Sequence, residues 1–154
     1  MSPEVIDMPD DETLRLHVAQ LCVEQWRGDF PHDTVDWYLD LYDAASSGDG
    51  LPVVLVAMEE GRFVGTASLI VDDELPDATE PGPWLAAVYV VGSERGRGVG
   101  TGLVRAMMNR AAATGDTPLY LYTESGRSWY ESMGWQTVRT AELAGHGVTV
   151  MRWG

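Results

Sequence analysis

Hydrophobic and polar positions in the first third of the chain predict two helices. Asp10 and Asp11 can cap a helix that runs to about Trp26, because short carboxylate side chains often precede the first helical turn. Apolar residues recur along this segment at i, i+4 and i+7, namely Leu14, Val18 and Leu21. A second helix is predicted to begin within residues 31–34 and to run to about Ala45, before a break rich in serine and glycine.

Runs of apolar and β-branched residues predict six strands in the rest of the chain. They cover residues 52–59, 62–71, 84–91, 119–123, 135–142 and 147–153. The first two strands form a hairpin around Glu60-Gly61, and the last two form a hairpin around Gly145. The run 84–91 has almost no polar residue, so we expect a strand that is buried on both faces.

Two further helices are predicted between these strands. One follows the glycine-rich stretch 93–100 and ends at Gly115, with apolar residues at i+4 spacing. A short one covers about 128–133, with Gly134 as its C-cap. This order of elements predicts one mixed α/β domain over residues 1–154, with parallel strands flanking the middle helix.

The composition restricts the partners of such a domain. A net charge of −14 repels polyphosphate backbones and anionic membrane surfaces and attracts a cationic substrate, so neither nucleic acid nor membrane is expected as a partner. The one cysteine, Cys22, cannot form an internal disulfide and is expected to be a small buried residue. The acidic N-terminus has no apolar core, and no run reaches about 18 apolar residues, which predicts a cytoplasmic protein.

The glycine-rich turn before the long helix has the properties of an anion site. Glycine lacks a Cβ, so a ligand can approach the backbone closely. The first N–H groups of a helix have no intrahelical partner and lie at the positive end of its dipole, which suits a phosphate or pyrophosphate. From Gly92 to Gly115 the only acid is Glu94, against four arginines. A purely structural tight turn is the alternative interpretation.

Glycine spacing separates the possible kinds of anion site. The dinucleotide pattern G-x-G-x-x-G fails, because its third position falls on Thr101 or on Leu103. The P-loop pattern fails because the chain has no lysine. A nucleotide-binding oxidoreductase is therefore disfavoured. The pattern that fits is Arg-x-x-Gly-x-Gly, with Arg95, Gly98 and Gly100.

A second motif lies downstream, after the short strand 119–123. It reads Trp129-Tyr130-Glu131-Ser132-Met133-Gly134-Trp135. The two motifs together resemble the acyl-CoA pyrophosphate motif and the aromatic-Tyr-Glu-x-x-Gly-aromatic signature of the GNAT superfamily of N-acetyltransferases. The order of elements resembles the same family from about Asp10 to Trp153. Within the second motif, we expect Trp129 and Met133 to be core residues.

The resemblance implies a fold, a cosubstrate and a mechanism. The fold is a three-layer α/β domain with a central, mostly antiparallel twisted sheet that is splayed at the acyl-CoA site. The cosubstrate is acetyl-CoA, with no metal. A primary amine attacks the thioester directly, with no acyl-enzyme, and the oxyanion of the tetrahedral intermediate is stabilised by the main-chain N–H of Tyr89. Tyr130 protonates the departing thiolate, which a phenol can do because its pKa of about 10 keeps it protonated at neutral pH.

The resemblance also assigns the residues that bind the cosubstrate. Main-chain groups of Val88, Tyr89 and Val90 would bind the pantetheine arm. The glycine-rich turn would hold the pyrophosphate through Arg95, Gly96, Arg97, Gly98, Val99, Gly100 and Thr101.

The sequence leaves the general base open. The strand 84–88 has no carboxylate where some relatives carry a base, and Gly92 stands where proline is common. The candidates are Asp72, Asp73, Glu124 and His146, acting directly or through water. The acidic loop 72–80 is either an ordinary solvated loop or one wall of an acceptor site.

The sequence is compatible with two functions. The first is an N-acetyltransferase for a small amine, an amino acid or a peptide amine, acting as a monomer or a homodimer. The second is a non-catalytic acyl-CoA-binding sensor or regulatory module, which the missing strand carboxylate keeps open.

Overall fold

A computed structural model describes residues 3–26, 33–46 and 50–154. In these ranges seven strands form one sheet in the order β1-β2-β3-β4-β5-β7-β6. The strands are β1 Glu4–Asp7, β2 Val53–Glu59, β3 Arg62–Ile70, β4 Trp84–Val90, β5 Leu119–Thr123, β6 Gln136–Leu143 and β7 His146–Trp153. The helices are α1 Glu12–Trp26, α2 Val35–Ala45, α3 Val99–Thr114 and α4 Arg127–Glu131, with a short 3-10 helix at Gly92–Glu94. This mixed sheet confirms the predicted fold class.

The sheet carries helices on both faces. On one face α3 packs against β2 and β3 through its buried apolar side, which includes Leu103, Val104 and Met107. On the other face α1 and α2 cover Val54 and Val56. The hydrophobic effect therefore holds the three layers together through apolar contacts on both faces of the sheet. None of the helices within the described ranges is long and apolar enough to cross a membrane.

Cys22 is buried on the face of the sheet that α1 and α2 cover, as the sequence predicts. Its side chain is fully buried on α1, beside Tyr42. Burial raises the pKa of the thiol to about 12, so the thiolate needed by a nucleophile is scarce at neutral pH.

β4 and β5 are parallel neighbours only at their beginning. Their register contains one pair, Trp84 opposite Tyr120, and the Tyr120 N–H donates to the Pro83 carbonyl over 2.9 Å. Every other pair of neighbouring strands is antiparallel, with four to seven registered pairs. β4 and β5 therefore diverge toward their carboxyl ends, which is the splay that the sequence analysis expects.

A bulge in β4 lies where β4 and β5 begin to diverge. Ser68 of β3 is opposite Ala86 and Thr66 is opposite Tyr89, so one residue of β3 faces two residues of β4. Ala87 has a φ of 52°, in the left-handed region that residues with a Cβ rarely adopt. The bulge bends β4 where β5 leaves it.

The structure corrects three details of the sequence analysis. β1 pairs with the edge of β2, although its four residues are too few to show a period. β4 is buried only at Trp84 and Leu85, because the rest of it borders open cavities once β5 has diverged. α4 ends at Glu131 with Ser132 as its C-cap, and Gly134 instead makes the turn into β6 with a φ of 100°.

α2 begins later than its earliest predicted residue. Thr34 is the N-cap, and its Oγ1 accepts a hydrogen bond from the Trp37 N–H over 3.2 Å. Residues 31 and 32, where the sequence analysis allows the start, lie outside the described ranges.

Candidate active site

Two cavities adjoin β4 and meet at Val88 and Gln25, which line both. The first, of about 470 Å³, runs along Val88–Val90 and the start of α3 and is called the loop groove here. The second, of about 360 Å³, occupies the opening between β4 and β5 and is called the splay cavity. The two cavities are therefore neighbours, one at the glycine-rich turn and the other where β4 separates from β5.

The glycine-rich turn presents the beginning of α3 to the loop groove. Gly96 and Gly98 have φ values of 81° and 84°, and a Cβ built on either would meet nothing within 4 Å. Backbone conformation rather than space therefore requires glycine at these positions. The Gly102 N–H donates to the Gly98 carbonyl over 3.0 Å, so the N–H groups of Val99–Thr101 precede this helical bond. These features fit a pyrophosphate.

The two arginines of the turn have different surroundings. Arg95 lines the loop groove, and its Nε donates to the Val90 carbonyl over 3.1 Å. Arg97 instead binds the carboxylates of Glu94, over 2.6 Å, and Glu59, over 2.8 Å. The guanidinium of Arg97 is thus neutralised by the protein, and its contribution to a bound anion would come from its main chain.

The charge balance of this region therefore differs from the count along the sequence. Glu94 is buried and also binds Arg62 over 3.2 Å, while Arg110 of α3 makes two hydrogen bonds to Asp7 of β1. Two acids from other strands, Asp7 and Glu59, therefore pair with arginines of this stretch, while Arg62 adds one cation. The surplus of arginines between Gly92 and Gly115 is smaller in the folded protein.

Trp129 connects the second motif to the first. Its indole N–H donates to Thr101 Oγ1 over 3.1 Å, and a Cβ on Gly100 would lie 3.2 Å from its ring. Trp129 is 37% exposed and lines the loop groove, so the expectation that it is a core residue is wrong. Met133, predicted to be core as well, is buried. A larger side chain at position 100 would push against the Trp129 ring.

The splay cavity brings together three of the four candidate bases. Asp73, Glu124 and His146 line it. Glu124 and His146 are more than half exposed, with 3.7 Å between the His146 Nδ1 and a Glu124 carboxylate oxygen. Asp72 does not line the cavity; it is exposed, and its carboxylate accepts a hydrogen bond from the Glu74 N–H over 2.8 Å.

Asp73 is the only one of these candidates that is buried, at 6% exposure. Burial raises the pKa of its carboxyl to about 8, and the nearby charges of Asp72 and Glu74 act in the same direction. A hydrogen bond from Tyr122 opposes the shift, and the Tyr122 hydroxyl also donates to the Asp73 main-chain carbonyl over 3.3 Å. A carboxyl with such a pKa can take up and release a proton near neutral pH.

Tyr130 lies in α4 with its side chain against the splay cavity. Its ring centroid is 4.7 Å from that of Trp129 and 5.9 Å from that of Trp135, and it is 8% exposed. Burial raises the pKa of the phenol further above its ordinary value, so the hydroxyl stays protonated at neutral pH. The residue both packs in the core and borders the cavity.

The sequence matches the family model described as Acetyltransferase (GNAT) family over residues 17–135. This range is well over half of the chain and contains both motifs. The chain belongs to the GNAT family of acetyltransferases. The predicted family, and the prediction of an acyl-CoA-dependent acyltransferase, are thereby confirmed. No curated protein sequence matches the chain significantly.

Solved structures share the fold along almost the whole chain. An aminoglycoside 6'-N-acetyltransferase complexed with coenzyme A superposes with a TM-score of 0.77 at 15% identity, covering 97% of this chain and 96% of that one. A ribosomal-protein-alanine N-acetyltransferase from Brucella melitensis gives 0.74 at 20% identity, covering 97% and 98%. An N-acetyltransferase from Staphylococcus aureus Mu50 gives 0.74 at 14% identity, covering 99% and 98%. Identities this low establish the GNAT fold alone.

Replacing Asp73 by asparagine should stabilise this GNAT domain at alkaline pH. The folded state holds the Asp73 proton with a pKa of about 8, against 3.8 for an unperturbed carboxyl, so the wild type loses stability as pH rises from about 4 to about 8. The asparagine side chain does not ionise, so the variant does not lose stability over this pH range. The free energy of unfolding of Asp73→Asn, measured with urea, should exceed that of the wild type by roughly 1–3 kcal/mol at pH 9, and by much less at pH 4.

Asp77→Asn is the matched control, because Asp77 is exposed in the same loop. It should leave the difference between pH 4 and pH 9 unchanged. If Asp73→Asn were destabilising at both pH values, the carboxylate would be contributing to the fold, and its burial could not be attributed to function.

Proposed function

We propose that the protein is an N-acetyltransferase that moves the acetyl group of acetyl-CoA to a primary amine by direct attack in a ternary complex. The observation that carries this proposal is the meeting of two chemically different cavities at Val88 on β4. One has an anion site at its far end, and the other has titratable side chains. The cosubstrate enters from the first and the acceptor from the second.

The loop groove can hold the pyrophosphate of acetyl-CoA at the glycine-rich turn and the pantetheine arm along β4. The N–H groups between Gly96 and Thr101 bind the pyrophosphate, assisted by the Arg95 side chain. The pantetheine arm lies along β4, whose edge toward β5 is open beyond Trp84. In place of a neighbouring strand, the amides of the arm satisfy the main-chain groups of Val88 and Val90. Coenzyme A bound to the 6'-N-acetyltransferase of the same fold supports this assignment.

The main-chain directions in β4 refine the choice of oxyanion donor. The Val91 N–H donates to the Val64 carbonyl of β3 over 3.0 Å. Because main-chain groups alternate between the two edges of a strand, those of Tyr89 also face β3, whereas those of Val88 and Val90 face the opening. We therefore assign stabilisation of the thioester oxyanion to the Val88 N–H in place of the Tyr89 N–H.

Tyr130 acts as the general acid of the reaction and Asp73 as the general base. Tyr130 keeps its proton at neutral pH and gives it to the departing CoA sulfur. Asp73 accepts a proton from the acceptor ammonium, directly or through water, and so supplies the base that β4 lacks. Glu124 and His146 lie at the exposed rim of the splay cavity, where they can pass that proton to solvent.

Binding of the cosubstrate is tested by placing a charge on the glycine-rich turn. Acetyl-CoA and CoA should raise the melting temperature of the wild type, whereas NAD should not. At 100 times the dissociation constant the gain is about 2.7 kcal/mol, or several degrees. Gly98→Asn should keep most of this shift, and Gly98→Asp should lose most of it, because a carboxylate there repels the pyrophosphate.

Asparagine and aspartate share the same shape and both tolerate left-handed backbone, so charge alone separates the two variants. Equal shifts in both variants would contradict a pyrophosphate site in this turn, and an equal response of the wild type to NAD would contradict selectivity for CoA.

Catalysis is tested at Tyr130. Tyr130→Phe should lower kcat for acetyl transfer by roughly 10²-fold, because it removes the general acid, while the melting shift with acetyl-CoA is retained. Tyr120→Phe is the matched control, since Tyr120 is also buried on the sheet but lines neither cavity. A wild type that binds acetyl-CoA and acetylates no amine would instead identify a sensor.

A further inference from the structure

The walls of the splay cavity are of two kinds. One side is aromatic and aliphatic, and includes Trp26, Trp37 and Leu143. The other side carries the buried carboxyl of Asp73 and the hydroxyl of Tyr122. A molecule that fills this space meets the indole rings of Trp26 and Trp37 and the buried acidic group of Asp73, within a lining that is otherwise largely polar.

The charges around the cavity discriminate among amines. Among the described residues that line it, none is arginine, and the chain contains no lysine. An amino acid would bring its own carboxylate toward Asp73 and Glu124, and the one imidazole among the described lining residues, that of His146, already lies 3.7 Å from Glu124. Removing a carboxylate from water without a partner is costly, so free amino acids are poor acceptors.

The cavity also limits the number of positive charges. Its volume of about 360 Å³ is at the small end of the range for ligand pockets. Asp73 is the one buried acid among the described lining residues, and the other acid, Glu124, lies at the rim 3.7 Å from His146. A polyamine or an aminoglycoside would have to bury several ammonium groups against one carboxylate.

We propose that the acceptor is a compact monoamine with an aromatic or branched apolar body and no carboxylate. Its ammonium group binds Asp73, and its body lies against Trp26 and Trp37. This inference rests on the proposed acetyltransferase activity and selects one class among the amines that the activity allows. Indole faces suit such a ligand because they offer a large apolar area and also attract a neighbouring cation.

The transfer balances with these groups. The ammonium gives one proton to the Asp73 carboxylate, and the free amine forms the new N–C bond as the thioester C–S bond breaks. Tyr130 gives its proton to the sulfur and recovers one from the substituted nitrogen. Asp73 then releases its proton to solvent. The products are the N-acetyl amine, CoA with a free thiol, and one proton.

The experiment compares acceptors in pairs that differ in one feature. The rate of thiol release from acetyl-CoA is measured with 2-phenylethylamine, phenylalanine, ethylamine, spermidine and kanamycin. Phenylalanine adds only the carboxylate, and ethylamine lacks only the ring. We expect kcat/KM for 2-phenylethylamine to exceed that of each other amine by at least about tenfold, the factor that 1.4 kcal/mol of binding supplies.

Two variants connect the preference to the cavity. Asp73→Asn should lower kcat/KM for 2-phenylethylamine by roughly tenfold or more, because it removes the ionisable group that accepts a proton from the buried ammonium. It should leave the melting shift with acetyl-CoA unchanged. Trp37→Leu should raise KM for 2-phenylethylamine and leave KM for ethylamine as it was. Asp77→Asn is the control and should change neither.

The outcomes separate this inference from the function on which it rests. If phenylalanine, spermidine or kanamycin is the better acceptor, or if Asp73→Asn keeps full activity, the acceptor class is wrong and the acetyltransferase stands. Absence of thiol release with all five amines, in a protein whose melting temperature acetyl-CoA still raises, would overturn the acetyltransferase and this inference with it. A preference for 2-phenylethylamine that is lost in Asp73→Asn supports both.

Discussion

The separation of β4 from β5 is the constraint on which the rest of this structure depends. A parallel pair in the middle of a sheet would normally hydrogen-bond along its length, yet this one is registered only at Trp84 and Tyr120. Beyond that pair, the main chain of β4 has no neighbouring strand on one edge. Main-chain groups left without a strand need another hydrogen-bond partner, so the edge is suited to a ligand that carries amides of its own. The bulge at Ala87, with its φ of 52°, occurs where the strands part.

The elements around this opening depend on one another. The ring of Trp129 lies over Gly100 and its indole N–H binds Thr101, so the short helix α4 is attached to the beginning of α3. Glu59 and Glu94 hold the Arg97 side chain, which fixes the glycine-rich turn to the β2–β3 hairpin. These contacts preorganise the loop groove before a ligand arrives, and preorganised N–H donors need no rearrangement when charge develops.

Most of the fold was predictable because its signals are local. The two hairpins, α3 with its closing Gly115, and both motifs follow from alternation, helical period and turn residues within a few positions. The features that escaped prediction depend on distant residues. Arg97 is neutralised by Glu59, which is 38 positions away, and Tyr122, which binds Asp73, is 49 positions away. The sequence could name Asp72 and Asp73 as candidate bases but could not separate them, since only the packing of the loop buries the second and exposes the first.

The central claim, that the opening of the sheet receives the cosubstrate, is tested most directly by mapping CoA onto the backbone by amide nuclear magnetic resonance. Titration of CoA into the labelled protein should shift the amides of Val88, Val90 and Gly96–Thr101 most strongly. The amides of β6, at the far edge of the sheet, should be unaffected. Shifts that cluster elsewhere, or no shift at millimolar CoA, would contradict the claim that the pantetheine arm takes the place of a neighbouring strand beside β4.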